Sequence, residues 1–282
     1  MKKRYIYLYL IGWWLFCVAC TGNFRDYNTD LSGITNEDLI IDDNGYGIRL
    51  GIIQQGIYFN YDYGKGKNWP FQLIQNLNAD MFSGYMHDAK PLNGGSNNSD
   101  YNMQDGWNSA MWTHVYSYIF PQIYQSENAT RDTHPALFGI TKILKVEVMH
   151  RVTDYYGPII YRHFANAEKH YQPDTQKEVY YEFFNELDSA VVALIGYIEE
   201  KPESNGFARF DILLDGKYSS WVKFANSLRL RLAMRLASIA PDKARSEIEK
   251  IKENDYGFFE RGSEKVAVST KSGYINPLGE LN

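Results

Sequence analysis

The sequence predicts an all-α fold, a tetratricopeptide-like helical solenoid with long irregular loops, on three observations. Apolar residues recur at i+3 and i+4 spacing in segment after segment. Residues that start or stop helices bound those segments. The segments alternate with turns as helix, turn and antiparallel helix, although no clean repeat of about 34 residues is visible.

The first two helices are expected at 48–58 and 69–82, joined by the loop NYDYGKGKN at 60–68. A long Gly/Asn/Ser loop, SGYMHDAKPLNGGSNNSDYNMQD, follows at 83–105. Loops of that length inside a compact domain are usually functional or disordered. Residues 107–125 and 135–155 read as a helical hairpin, with Ala136, Ile140, Ile143, Leu144, Glu147 and Val148 marking one face. Gly157 and Pro158, after Asp154-Tyr155-Tyr156, stop its second helix. Thr175 and Glu178 form a capping box for a helix at 177–199. A loop at 201–216 leads to the next helix, and a short amphipathic one covers 242–254.

The stretch 221–240 carries two periodicities, because Leu-Arg-Leu-Arg-Leu-Ala-Met-Arg-Leu from Leu228 to Leu236 alternates as a half-buried strand does. On a helix, Trp221, Ala225, Leu228, Leu232, Leu236 and Ile239 share one face, while Leu230 and Met234 lie nearly opposite. The segment is rich in Leu, Arg, Ala and Met and lacks a helix breaker until Pro241, which suits the start of another helix. A helix sandwiched between neighbours on both faces is therefore expected, its arginines meeting carboxylates. A membrane-surface helix needs one polar and one apolar face, which this segment lacks.

The chain has 282 residues and a net charge of −5, with no Lys/Arg-rich stripe, so nucleic acid is not an expected partner. Met1-Lys2-Lys3-Arg4 followed by the apolar run at 5–16 reads as a signal peptide, too short to span a bilayer. Cys17-Val18-Ala19-Cys20 resembles a lipobox, with Cys17 where Leu is usual, and Cys20 is the expected lipidation site. The expected organisation is a lipoprotein signal peptide at 1–19, a lipidated tether at 20–47 and a helical domain at 48–282. The chain's two cysteines are Cys17 and Cys20, so the mature chain has no disulfide, cysteine nucleophile or cysteine zinc site.

Catalytic motifs are weak. Ser220-Trp-Val-Lys223 and Lys271-Ser272-Gly273 imitate elements of serine beta-lactamases but lie too close together, with no S-D-N between them. The six histidines form no H-E-x-x-H and no i, i+4 pair, and the glycines form no dinucleotide fingerprint. Neither a metal nor a cofactor is expected, and no motif suggests an enzyme.

Many of the 23 Tyr, 15 Phe and 6 Trp must pack the core, but an excess of Tyr and Trp with polar neighbours is also what a surface needs to stack against sugar rings. Aromatic faces beside amides and carboxylates are the physical form of a sugar site. Tyr61, Tyr63 and Trp69 cluster at the first loop; Asp80, Tyr85, Asn97, Asn98, Tyr101 and Trp107 border the second. Trp69, Tyr85 and Trp107 are the stacking candidates, with Tyr101 beside them, and Asp80 and Asn97 the hydrogen-bonding ones.

Several segments together resemble the SusD/RagB family of Bacteroidetes outer-membrane lipoproteins. They are Cys20 with Phe24-Arg-Asp-Tyr-Asn-Thr-Asp30, the DYYGPIIY block at 154–161, Glu178-Val-Tyr-Tyr-Glu-Phe-Phe-Asn-Glu-Leu187, and above all Trp221-Val-Lys-Phe-Ala-Asn-Ser-Leu-Arg-Leu-Arg-Leu-Ala-Met-Arg235. The resemblance implies a SusD-like helical scaffold, lipid-anchored in the outer membrane and facing the cell surface. It implies a noncatalytic protein that binds glycans or peptides and delivers them to a TonB-dependent SusC-like barrel. Members of the family are usually nearly twice this length, so the chain is expected to be the N-terminal half of such a protein.

Overall fold

Caps and breakers set where the helices begin and end. Pro135 and Pro241 open one helix each, the Thr175/Glu178 pair opens another, and Gly157 closes one. The computed structural model describes residues 44–59, 69–87, 89–90, 92–165, 172–202, 204, 207–260 and 264–268. The chain divides into two compact units, Met1–Gly45 and Tyr46–Asn282, of which the second is described below. The expected signal peptide, Cys20, the tether up to residue 43, and Tyr61 and Tyr63 lie outside the described residues, as does the side chain of Trp69.

In chain order the helices are α1 (Asn44–Gly56), α2 (Trp69–Phe71, continuing as a π-helix over Gln72–Asp80), α3 (Asp105–Asn108) and α4 (Ala110–His114, continuing as a π-helix over Val115–Ile119). There follow α5 (Phe120–Thr130), α6 (Pro135–Tyr156), α7 (Gln176–Glu200), α8 (Tyr218–Leu236) and α9 (Pro241–Lys250). Among the described residues there is no β-strand, only an isolated antiparallel bridge between Ile159 and Asp174. The expected 107–125 helix is divided among α3, α4 and α5. Pro121 has no N–H to bond the preceding turn, and the chain widens into a π-helix just before it.

Cross-helix pairs fix the directions. Asp154 meets Tyr180 while Lys145 meets Glu186, so α6 and α7 run antiparallel. Tyr180 meets Arg235 and Asp188 meets Arg229, which does the same for α7 and α8. Arg229 meets Glu247 and Asn226 meets Asn254 across the α8–α9 hairpin. The fold is all-α, a stack of antiparallel helical hairpins of the tetratricopeptide type.

The core is continuous through this stack. Ile140, Ile143, Leu144 and Val148 of α6 are fully buried, as are Phe183, Phe184 and Leu187 of α7 and Trp221, Ala225 and Leu232 of α8. Gly139 permits close approach of α6 to α7, since a Cβ there would lie 3.0 Å from the Ala190 carbonyl oxygen. Gly157 adopts φ 78°, a conformation that favours glycine, and its N–H bonds the Thr153 carbonyl to end α6.

One expectation about α8 is corrected. The helix buries a single broad face that also includes Val222, Phe224 and Ala233, and it ends at Leu236. Met234, on the opposite face, is 59 % exposed, and Ile239, beyond the helix end, is 80 % exposed. Alternating Leu and Arg do give a helix two apolar stripes, but only one of them meets the described helices. Its arginines do meet carboxylates: Arg229 is buried between Glu247 and Asp188, and Arg235 pairs with Asp154. No helix among the described residues is long and apolar enough to cross a membrane.

Candidate functional site

The long loop expected at 83–105 rests on the π-helix of α2 and on α3, and its shape follows from its asparagines. Asn97 and Asn98 have almost no exposed surface. Asn97 Oδ1 accepts from the Ser99 N–H at 2.9 Å and so caps the 3₁₀ turn Asn98–Asp100. Asn98 Nδ2 donates to the Leu77 carbonyl at 2.7 Å and to Asn108 Oδ1 at 3.0 Å, tying the loop to both supports.

A second layer lies beneath. Asn78, fully buried on the π-helix, donates to the Trp107 carbonyl at 3.2 Å and accepts from the Tyr155 hydroxyl at 2.5 Å. The same hydroxyl lies 3.2 Å from Asn108 Oδ1, and the Tyr156 hydroxyl donates to the Asn108 carbonyl at 2.5 Å. Burial raises the Tyr156 phenol to about 12, so it remains a donor at any physiological pH. The tyrosines at the end of α6 thus anchor the asparagines that shape the loop. Polar groups buried in this way hold a loop in place only when they are mutually satisfied.

Above this layer stand the exposed aromatics. Tyr85 is 89 % exposed and Tyr101 is 71 % exposed. The Tyr101 ring lies 6.0 Å from that of Phe82, and its φ of 56° is unusual for a residue with a side chain. Such local strain concentrates at functional sites. Trp107 is half-buried.

Asp80 closes the π-helix. Its carboxylate accepts from Gln75 Nε2 at 2.7 Å and from Asn76 Nδ2 at 3.0 Å. Gln75 Oε1 in turn accepts from Arg151 of α6 at 3.0 Å. Burial lowers Arg151 to about 10, against the opposing charge of Glu147. Glu147 is raised by burial to about 7 despite the nearby Arg231 and Arg151.

The sequence candidates thus separate. Asp80, Tyr85, Tyr101 and Trp107 gather around one loop. Asn97 belongs to the same loop, but its side chain points inward to shape it. Asn78, Asn108 and Tyr155 carry the loop, and their sequence spacing does not mark them as site residues. In the sequence Tyr155 stands out only as part of the helix stop at 154–158. Among the described residues no group of three His, Cys, Asp or Glu stands close enough to hold a metal.

A family model described as SusD and RagB outer membrane lipoprotein matches residues 26–281. The chain belongs to the SusD/RagB family. Among solved structures, this SusD-like chain is similar to a SusD homologue from Bacteroides vulgatus, with 44 % identity and a TM-score of 0.78. That match covers 86 % of this chain and 48 % of the other. A chitin-binding SusD homologue from Flavobacterium johnsoniae matches at 34 % identity and TM-score 0.78, over 84 % of this chain and 48 % of that one. A SusD homologue from Bacteroides uniformis matches at 28 % identity and TM-score 0.71, over 84 % and 47 % of the two chains. The chain spans about half the length of the solved structures it matches. No curated protein matches it.

Proposed function

We propose that this SusD-like chain captures glycans on the face formed by its long loop and the end of the α2 π-helix. Tyr85 and Tyr101 supply rings for stacking on sugar faces, with Trp107 as a further aromatic contact. Asp80, already oriented by Gln75 and Asn76, accepts hydrogen bonds from sugar hydroxyls. Asn97 acts from beneath by shaping the loop.

The observation that carries this reading is the exposure of two tyrosines over a buried, mutually satisfied asparagine and tyrosine network. Rings held out in water by a loop fixed from below are preorganised for a flat apolar partner, which lowers the ordering cost of binding. The chitin-binding relative supports a glycan over a peptide as the first ligand to try.

Capture is noncovalent and involves no chemical step. In this reading residues 1–19 are a signal peptide, Cys20 is lipidated, and 20–47 tether the helical domain of 48–282 to the outer surface of the outer membrane. The captured glycan passes to a TonB-dependent SusC-like barrel. A glycan array probed with the chain and with Tyr85→Ala tests the capture step, and co-purification with a barrel from the same cells tests delivery. Binding that survives loss of Tyr85 and Tyr101 together contradicts the assignment of this face.

A further inference from the structure

A concavity lies where the C-terminal end of α6, the first turns of α7 and the end of α8 meet, lined by Asp154, Gln176, Lys177, Tyr180 and Arg235. It encloses about 490 Å³, within the range of small-molecule sites, and is open to solvent. Its apolar side is Leu236, Ala240 and the exposed Ile239.

The polar side leaves hydrogen-bond donors in excess. Tyr180 Oη donates to Asp154 Oδ1 at 2.6 Å and accepts from Arg235 Nε at 2.9 Å. Arg235 Nη2 lies 2.9 Å from Asp154 Oδ2, so the only carboxylate of the groove is matched by a guanidinium within it. Arg235 is about half exposed, and its Nη1 has no partner among the described residues. The Lys177 ammonium sits 5.5 Å from the centre of the Tyr181 ring and makes no ion pair among the described residues. Lys243 approaches the same ring at 5.1 Å but is paired with Glu247. Gln176 Nε2 donates to the Thr153 carbonyl at 2.8 Å, and its side-chain oxygen is an acceptor suited to a hydroxyl.

We propose that this groove binds a carboxylate-bearing sugar unit, such as a uronic acid within a glycan. Two cationic donors, Lys177 and the outer edge of Arg235, match a carboxylate, while Gln176 suits a hydroxyl and Ile239 and Leu236 cover the apolar face of the ring. That the ligand's body is a sugar rests on the proposed glycan function; the groove itself shares no residue with the loop face.

Titration calorimetry of the full chain with a disaccharide of glucuronate and N-acetylglucosamine tests this, with the uncharged N-acetylglucosamine disaccharide as control. Amide NMR signals of Ile239 and Ala240 report occupancy of the groove. Lys177→Glu, at an exposed position, is expected to weaken the acidic disaccharide about tenfold or more without changing the melting temperature. The Ile239 and Ala240 signals lie in the groove and not on the loop face, so failure of the loop face is read separately. No shift of the Ile239 and Ala240 signals at millimolar acidic disaccharide, equal shifts with the neutral disaccharide, full shifts in Lys177→Glu, or equal competition at these signals by an acidic tripeptide would overturn the proposal.

Discussion

The hydroxyl of Tyr155 donates to the side-chain oxygen of Asn78 at 2.5 Å, joining residues 77 positions apart. The bond ties the end of α6 to the π-helix from which the exposed loop departs, so it links the solenoid's core to the candidate binding face. Tyr155→Phe keeps the ring and strands a buried acceptor, and its expected cost is about 1–3 kcal/mol. Urea unfolding measures that loss, and a parallel fall in glycan affinity shows that the loop's shape depends on it.

The exposed rings are expected to matter for binding and not for stability. Tyr85→Ala and Tyr101→Ala should each shift the folding free energy by no more than about 0.5 kcal/mol, as surface substitutions do. Each should weaken glycan binding about tenfold, the scale of one aromatic contact. Tyr101→Gly removes the ring and the left-handed strain together, so it should melt slightly higher than Tyr101→Ala while binding no better. Thermal melts beside affinity measurements check both.

Arg229 has almost no exposed surface and bonds Glu247 and Asp188, while Glu247 is fully buried and also takes Lys243. Glu247→Ala leaves a buried guanidinium with only the half-exposed Asp188, and the expected loss is about 3–5 kcal/mol. Asp188→Ala should cost less, because that carboxylate is already 40 % exposed. Replacing Arg229 and Glu247 together by leucine should recover much of the loss. Chemical denaturation of the three variants measures the order.

Two groups on α6 oppose each other in pH dependence. Glu147, its side chain 23 % exposed, is raised by burial from 4.5 to about 7. The folded chain therefore keeps a proton that the unfolded chain releases, and this contribution to stability falls as pH rises through that window. His150 is lowered by burial, and further by Arg231, from 6.5 to about 4. Its contribution is lost as pH falls through that range. Glu147→Gln should thus stabilise the chain at pH 7.5 by about 1–2 kcal/mol, allowing for partial solvent screening, and do little at pH 4.5. Melting temperatures of both proteins across pH 4–8 check the difference.

Local chemistry was legible in the sequence. Thr175 and Glu178 form the reciprocal cap that their spacing predicts, and Gly157 ends α6 as a stop residue should. The buried face of α8 follows from the spacing of Trp221, Ala225, Leu228, Leu232 and Leu236. The fate of Met234 did not follow, because periodicity says which residues share a face but not whether another helix covers it. Asn78 and Asn97 posed a related problem. An asparagine in or beside a loop has the same signature whether it greets a ligand or a buried tyrosine, and the partner that decides is far away in sequence. The π-helical windings were also illegible, since they depend on packing beyond the local sequence.

If the loop face built on Asn78 and Tyr155 captures glycan, its two exposed rings carry much of the affinity. The most direct test is the affinity of one array-identified glycan for the chain and for the double variant Tyr85→Ala/Tyr101→Ala, with both proteins confirmed folded by their melts. The expected loss is about a hundredfold, two aromatic contacts of about tenfold each. Equal affinity in the two proteins would show that glycan is captured elsewhere.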